Sequence, residues 1–376
     1  MPQNESPAGA LSMSRRIRRT PYTGRVESAG VRAFTVTNHM LLPKAYRRSV
    51  EDDYRHLREA VQMWDVSCQR QVQIEGPDAA RLVQMMTPRN IGGARPGDCL
   101  YLPLVAPDGG IVNDPVMLKL AEDRYWLSIA DSDVLLYALG LATGAGFEVE
   151  VSEPDVSPLA VQGPRAEDVM ARLFGEEIRR IGFFRFGRFE FGGIEQVIAR
   201  SGYSGQDGFE IYLRNAALGA SLWDVVREAG RDFGIAPCCP NLIDRIEAGL
   251  LSYGNDMTRN DNPLELGMAK LCTLDGSIDF VGRAALVRIA ETGVARIMRG
   301  VAFGGGPGPV CATPWPVTAG SRIVGGITSA AWSPRLERNV GLSLIDREFW
   351  DPGQPVMVET PDGEVRPGEV SALPFD

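Results

Sequence analysis

Two carboxylates in this sequence each follow a glycine-rich turn. Glu210 lies in "SGQDGFEIY", two residues before Tyr212, and Asp114 lies in "DGGIVNDP". Residues 209–214 read as a strand, and side chains alternate along a strand. Phe209, Ile211 and Leu213 then share one face, and Glu210 shares the other with Tyr212. If the apolar face is core, a carboxylate and a phenol look together into a cavity or onto another element. A buried carboxylate needs a partner, because desolvation without compensation is costly. Arg200, Arg245 or a bound ligand would meet that need; an internal ion pair or solvent exposure is the alternative. Asp114 precedes Pro115, which cannot donate to a sheet ladder, so its strand is expected to be irregular or at an edge there.

Histidine is scarce, and this narrows the chemistry. The only two are His39 and His56, so a histidine-based metal centre or a Ser-His-Asp nucleophile has almost nothing to be built from. His56 falls on the polar face of an amphipathic helix that Ser49 would cap, with Asp52 three residues on. His39 sits among apolar residues before a proline, where a structural role is expected. The six cysteines show no CxxC spacing and read as reduced cytosolic thiols.

The elements that must hold the two carboxylates carry an echo. "IEGPDAARLVQMM" (74–86) and "VQGPRAEDVMARL" (161–173) each read as a strand end, a Gly-Pro turn and a short helix. Each is followed by a glycine-rich hairpin, one holding Asp114 and the other Glu210. An internally duplicated α+β body follows, with two similar sheets around a pseudo-two-fold axis; chance recurrence of Gly-Pro is the alternative. In such a body the two carboxylates would approach one cavity from opposite sides. After Pro240, "NLIDRIEAGLLSYG" reads as a buried helix with Gly254 as its C-cap. From about residue 291 the texture changes to short strands and turns, a small all-β domain. The divisions expected are 1–150, 151–290 and 291–376.

The bulk numbers fit a globular chain of 376 residues, 44% hydrophobic and 23% charged. A formal charge of −9 argues against nucleic-acid and anionic-membrane partners. The basic run "SRRIRR" has no apolar stretch after it and is not expected to be a signal peptide. The most apolar long segment, "YWLSIADSDVLLYALGLATGAGF", carries Asp131 and Asp133 and is no membrane span.

Eight blocks, in order, resemble the folate-dependent aminomethyltransferase family, which includes the T-protein of the glycine cleavage system. They are "MWDVS", "IEGPDAARL", "DGGIVND", "VQGPRAEDV", "RSGYSGQDGFEIY", "DRIEAGLLSYGNDM", "FVGRAAL" and "GGITSAAWSP", which run from residue 63 to 334 within a resemblance over residues 48 to 345. Closer still is the resemblance to the branch of that family that demethylates dimethylsulfoniopropionate. The N-terminal stretch 15–46, "CLYLPL", "GGIVNDPVMLKL", "YWLSIADSDV" and "CPNLIDRIEAGLLSYGND" all look like it. One position departs: Tyr203 stands where that branch carries tryptophan, and the turn "SGQDG" is closer to the T-protein's. A third branch, folate-binding proteins of iron–sulfur cluster assembly, carries a Lys-Gly-Cys-Tyr signature where this chain reads "CTLDGSIDFVGR".

The resemblance implies an α+β fold: a three-domain cloverleaf, its duplicated α/β body around a central folate site and its last domain a small β-barrel. It implies tetrahydrofolate as methyl-accepting co-substrate and a cationic small-molecule donor; the histidine count and the net charge add the expectation of no metal and of neither nucleic acid nor membrane as partner, and a homodimer is the candidate assembly. Asp114 matches the family's catalytic aspartate near the folate N5. Glu210 would accept the paired N–H donors of a pterin, a bidentate charge-assisted arrangement, with Tyr212 beside it. Tyr101 and Ser128 match positions that line the folate site. Trp332 would close the folate entrance, and Arg245 would either meet folate's carboxylate tail or pair near Glu247. Tyr203 and Phe184 are the candidates to hold the donor cation by cation–π attraction. A sulfonium methyl is already activated, so the implied task is in-line orientation, which can supply roughly 7–11 kcal/mol, and removal of a proton from N5. Another onium or methylamine donor, such as betaine or dimethylglycine, and a folate-binding module without turnover are the alternatives.

Overall fold

Two Gly-Pro turns set the architecture. Gly76 and Gly163 have φ of +136° and +122°, and a Cβ at either would stand 2.6 Å from a backbone oxygen, of Glu148 and Ala60 respectively. Glycine alone fits such an approach. In the computed structural model, which describes residues 14–376, each turn joins the same pair of elements. Strand Gln71–Glu75 leads into helix Ala79–Met86, and strand Val156–Gln162 into helix Ala166–Phe174. The duplicated α+β body is therefore real.

Each half carries a sheet. The first has five strands in the order Glu150–Ser152, Gln71–Glu75, Arg124–Ser128, Val116–Ala121, Cys99–Tyr101. The second has six: Phe186–Phe191, Ile194–Ala199, Gly208–Arg214, Val156–Gln162, Gln62–Asp65 and Ala236–Cys238. Helices cover one face of each sheet. Val72, Ile74, Leu82 and Leu127 fill the core of the first, and Leu159, Val161, Ile198 and Trp223 that of the second. On their other faces the sheets meet: Leu118, Leu120 and Trp126 pack against Val197, Ala199 and Tyr212. Phe209, Ile211 and Leu213 join the second core, so the alternation read from the sequence holds, and Glu210 and Tyr212 look at the first sheet. Each apolar side chain fully buried in this seam is worth about 1.5–3 kcal/mol, enough to hold the sheets together around a polar interruption.

The last domain is a closed six-stranded barrel, in the order Arg296–Phe303, Arg338–Asp346, Arg322–Ser333, Trp315–Ala319, Pro355–Glu359, Val365–Ser371. It docks on the body through Met298, Leu342 and Phe375, which meet Ile111, Ile246 and Met257. Ser49 caps helix Val50–Glu59 as expected, accepting from the Asp52 amide.

Several expectations are corrected. The unit 1–150 is not one sheet: Gln62–Asp65 belongs to the second sheet, where it pairs antiparallel with Val156–Gln162 and parallel with Ala236–Cys238. Tyr22, Val26 and Tyr46 also pack in the second core, and residues 1–13 of that unit lie outside the described residues. The helix after Pro240 is short. Asn241 caps it, accepting from the Ile243 and Asp244 amides, and it runs only over Leu242–Glu247, because Gly249 turns left-handed at φ +69°. His39 is exposed in the hairpin turn between Ala33–Thr37 and Met40–Ala45. His56 is half-buried, and its Nε2 lies 2.9 Å from the Gly234 oxygen. All six cysteines are free thiols. Among the described residues no helix is long and apolar enough to cross a membrane.

Candidate active site

Asp114 follows strand Ile111–Asn113 at the point where Pro115 ends its ladder. Its two oxygens are treated differently. Oδ2 accepts from the Tyr101 hydroxyl at 2.8 Å. Oδ1 is closed off from solvent and has no partner among the described residues. Burial pushes the carboxyl up to about 7, against the pull of the Tyr101 bond, and the Asp256 carboxylate adds to the rise. Burial and the adjoining Asp114 raise the Tyr101 hydroxyl well above its ordinary range. Asn113 fixes the backbone here: its Nδ2 donates to the Ala130 oxygen and Ser132 Oγ, and its Oδ1 accepts from the Ala130 amide.

Glu210 is 4% exposed. Its Oε2 accepts from Ser201 Oγ at 2.5 Å and from the Tyr212 hydroxyl at 3.3 Å. These two hydroxyls are its side-chain donors among the described residues, and neither is a cation. Burial raises the Glu210 carboxyl, and the two hydroxyls pull it back. Arg200 does not reach it, being paired with Glu167 at 2.9 Å and with Asp207. Tyr212 is fully buried, tilted against Trp126 with ring centroids 6.2 Å apart. Ser128 shares the face of Trp126, two residues on, and accepts from Gln71 Nε2 at 3.0 Å.

One strand links the two carboxylates. Cys99 packs with Tyr212 in the seam, and Tyr101 holds Asp114. Cys99 and Tyr101 lie two residues apart on one face, about 7 Å along the strand. The structure thus brings Asp114, Tyr101, Ser128, Glu210 and Tyr212 to one face of the seam. Tyr203 joins the Asp114 end. Its hydroxyl donates to the Leu251 oxygen at 2.8 Å, and burial pushes it up to about 12 within reach of the charges of Arg245, Asp256 and Asp114.

Three expected residues have other settings. Arg245, 7% exposed, is spent internally. It donates to Asp256 Oδ2 at 2.8 Å, to the Leu250 oxygen at 3.0 Å and to Ser329 Oγ at 2.6 Å. Asp256 also takes Ser329 Oγ, Thr328 Oγ1 and the Ser252 amide. Glu247, the neighbourhood weighed for Arg245, is instead bonded to Tyr54, Ser333 and Arg335. Phe184 stands apart from Tyr203: it packs on the seam cluster and lines a surface cavity with Arg89 and Phe183. Trp332 is half-buried on barrel strand Arg322–Ser333, whose Ser329 and Ser333 reach into the body.

Removing one partner of a buried pair strands the other charge, typically at about 3–5 kcal/mol. Arg245→Met is therefore expected to lose roughly that much stability in a urea titration. The double variant Arg245→Met, Asp256→Leu should regain most of it; a single variant as stable as the parent would contradict the network.

Two partners were not read from the sequence. Ser201 was legible in principle, because hairpin pairing of Ala199 with Glu210 brings it across from the carboxylate. Asp256 was hidden by the expectation of a longer helix. Among the described residues no group of three or more His, Cys, Asp or Glu side chains is placed to hold a metal ion.

Residues 22–276 match the family model described as the GCVT N-terminal domain, and residues 300–376 match the glycine cleavage T-protein C-terminal barrel domain. The chain is 51% identical over 350 residues to the dimethylsulfoniopropionate demethylase DmdA of Ruegeria pomeroyi, covering 93% of this chain and 95% of that protein. It is 31% identical over 369 residues to an aminomethyltransferase of Moorella thermoacetica, covering 96% and 98%. Among solved structures, the glycine cleavage system aminomethyltransferase T of Bartonella henselae superposes with a TM-score of 0.85 at 24% identity, over 96% of this chain and 98% of that one.

Proposed function

Because the chain belongs to the glycine cleavage T-protein, or aminomethyltransferase, family, we propose that it demethylates dimethylsulfoniopropionate. One sulfonium methyl goes to N5 of tetrahydrofolate, leaving 5-methyltetrahydrofolate and 3-(methylthio)propanoate. Family membership makes it a tetrahydrofolate-dependent methyl-transferring enzyme; the choice of donor is the proposal, and the Ruegeria pomeroyi relative supports it. A cytoplasmic setting belongs to the same reading, supported by the six free thiols.

The observation that carries the chemistry is the bare Oδ1 of Asp114. A buried acceptor without a donor is costly, and a ligand N–H aimed at it removes that cost. Glu210 supports the same fit, since a buried carboxylate held by two hydroxyls and no cation has acceptor capacity left for paired N–H groups. Tetrahydrofolate, when bound, supplies the nucleophilic N5.

The chain's own part is placement and a proton. Tyr101 holds Asp114 by Oδ2 and leaves Oδ1 free to act. With its carboxyl near 7, Asp114 exchanges a proton readily at neutral pH, as a base matched to its working range does. Glu210 and Tyr212 fix the ring that carries N5, and the Tyr203 ring offers its face to the donor cation, at about 0.5–2 kcal/mol. In-line orientation supplies the largest share.

Tyr203 also favours a second reading, another onium or methylamine donor, because it is the position at which the chain departs from its resemblance to the demethylase branch. Anaerobic turnover with tetrahydrofolate separates the two. Dimethylsulfoniopropionate, glycine betaine and dimethylglycine are offered singly, and 5-methyltetrahydrofolate is detected by mass. Product from the sulfonium alone is expected; product from a nitrogen donor alone would overturn the donor assignment.

A further inference from the structure

A cavity of about 380 Å³ opens where the edge strand Cys99–Tyr101 meets residues 183–186 of the other half. Arg89, Asn90, Cys99, Phe183, Phe184 and Arg185 are among its walls. Its charges do not balance. Arg185 is matched by Asp98 at 2.5 Å. Arg89 is half-buried, and its Nη1 donates to the Tyr101 backbone oxygen at 2.8 Å. Among the described residues no carboxylate pairs with it, and burial alone pulls its guanidinium below the ordinary range. A half-buried guanidinium with free donors suits a carboxylate ligand, which it can grip through two parallel bonds.

The aromatic wall is held in place at a cost. Phe184 has φ +56°, a left-handed backbone that a bulky residue seldom adopts and that costs of order 1–3 kcal/mol. Two backbone bonds hold it there, Phe184 N to the Arg200 oxygen and Cys99 N to the Phe184 oxygen. The outcome is Phe183, 76% exposed, with its ring centroid 4.8 Å from that of Phe184. An exposed phenyl beside a half-buried one at the mouth of a cavity is what a soft cation binds. A simple anion would leave the phenyls unused, and a simple cation would be repelled by Arg89. A molecule with a carboxylate at one end and an onium at the other satisfies both.

We propose that this cavity is an outer capture site for the zwitterionic methyl donor, its carboxylate on Arg89 and its onium group on Phe183 and Phe184. The proposal rests on the donor class argued above. Cys99 forms part of the cavity wall, and Tyr101, two residues on, holds Asp114, so a captured donor waits one strand step from the transfer site.

The test combines initial rates at saturating tetrahydrofolate with calorimetric titration of the folate-free full chain. Dimethylsulfoniopropionate, its methyl ester and p-aminobenzoylglutamate are the probes. Arg89→Gln is expected to raise the donor KM and Kd about tenfold with a smaller change in kcat, and Phe183→Ala about threefold with kcat unchanged. The methyl ester, lacking the carboxylate, should show one KM in the parent and Arg89→Gln. Phe183 is exposed, so its variant tests the site even if Arg89→Gln folds poorly. Unchanged donor KM and Kd in both variants would overturn the proposal. So would an Arg89 dependence confined to p-aminobenzoylglutamate, which would make the cavity a folate-tail site. Failure of the donor reading shows separately, as a parent that does not turn over the sulfonium; glycine betaine, a zwitterion of the same class, then replaces it in the titrations.

Discussion

Asp114→Asn is expected to lower kcat by about 10²- to 10⁴-fold, the range general-base removal usually costs, while the Kd for tetrahydrofolate changes only a few-fold. The amide keeps an oxygen for the Tyr101 hydroxyl, so the local fold is preserved, and what is lost is the group that accepts a proton. The pH dependence has a definite sign. Burial lifts the Asp114 carboxyl to about 7, so it is neutral below that pH and a carboxylate above it. The parent's kcat/KM should therefore rise with pH through about 7 and then level off, and the variant should lose that limb. A variant with parental kcat, or with the same limb intact, would remove Asp114 from the chemistry.

Glu210→Gln divides the kinetic effects the other way. The KM and Kd for tetrahydrofolate are expected to rise about 10- to 100-fold, from losing a charge-assisted pair worth roughly 1.5–3 kcal/mol, with a smaller change in kcat. Stability should hold or increase, because glutamine relieves a buried carboxylate that no cation neutralises. Thermal unfolding of the folate-free variant checks this directly. A marked fall in Tm with unchanged folate binding would mean that Glu210 serves the seam between the sheets rather than a ligand.

What could be read from the sequence follows the range of the interactions involved. Alternation along residues 209–214 is a local property of a strand, and it correctly turned Glu210 and Tyr212 away from Phe209, Ile211 and Leu213. The Gly-Pro echo is local too, because the glycine is demanded by a backbone oxygen at 2.6 Å. The partner of Arg245 was not legible. A helix running to Gly254 would have carried Asp256 away along its axis, whereas the left-handed Gly249 turns the chain back so that Asp256 meets the guanidinium. The structural role expected of His39 falls to its backbone: the side chain is exposed in the hairpin turn, and its carbonyl oxygen accepts from the Arg18 amide at 2.7 Å. Nothing in the periodicity of residues 62–65 says which sheet they join, since that depends on pairing with residues 159–162 and 236–238.

That pairing makes the first sheet a guest. Its strands all lie between Gln71 and Ser152, whereas the sheet facing it recruits Gln62–Asp65 from before that stretch and Ala236–Cys238 from well after it. The chain therefore encloses one half of the body inside the sequence of the other. As the polypeptide leaves the ribosome, the guest has all its strands while the host still lacks most of its own. Closing the host over so long a loop is entropically the slower event. Asp114 thus lies in the guest and Glu210 in the host, and the proposed site is complete only when host meets guest.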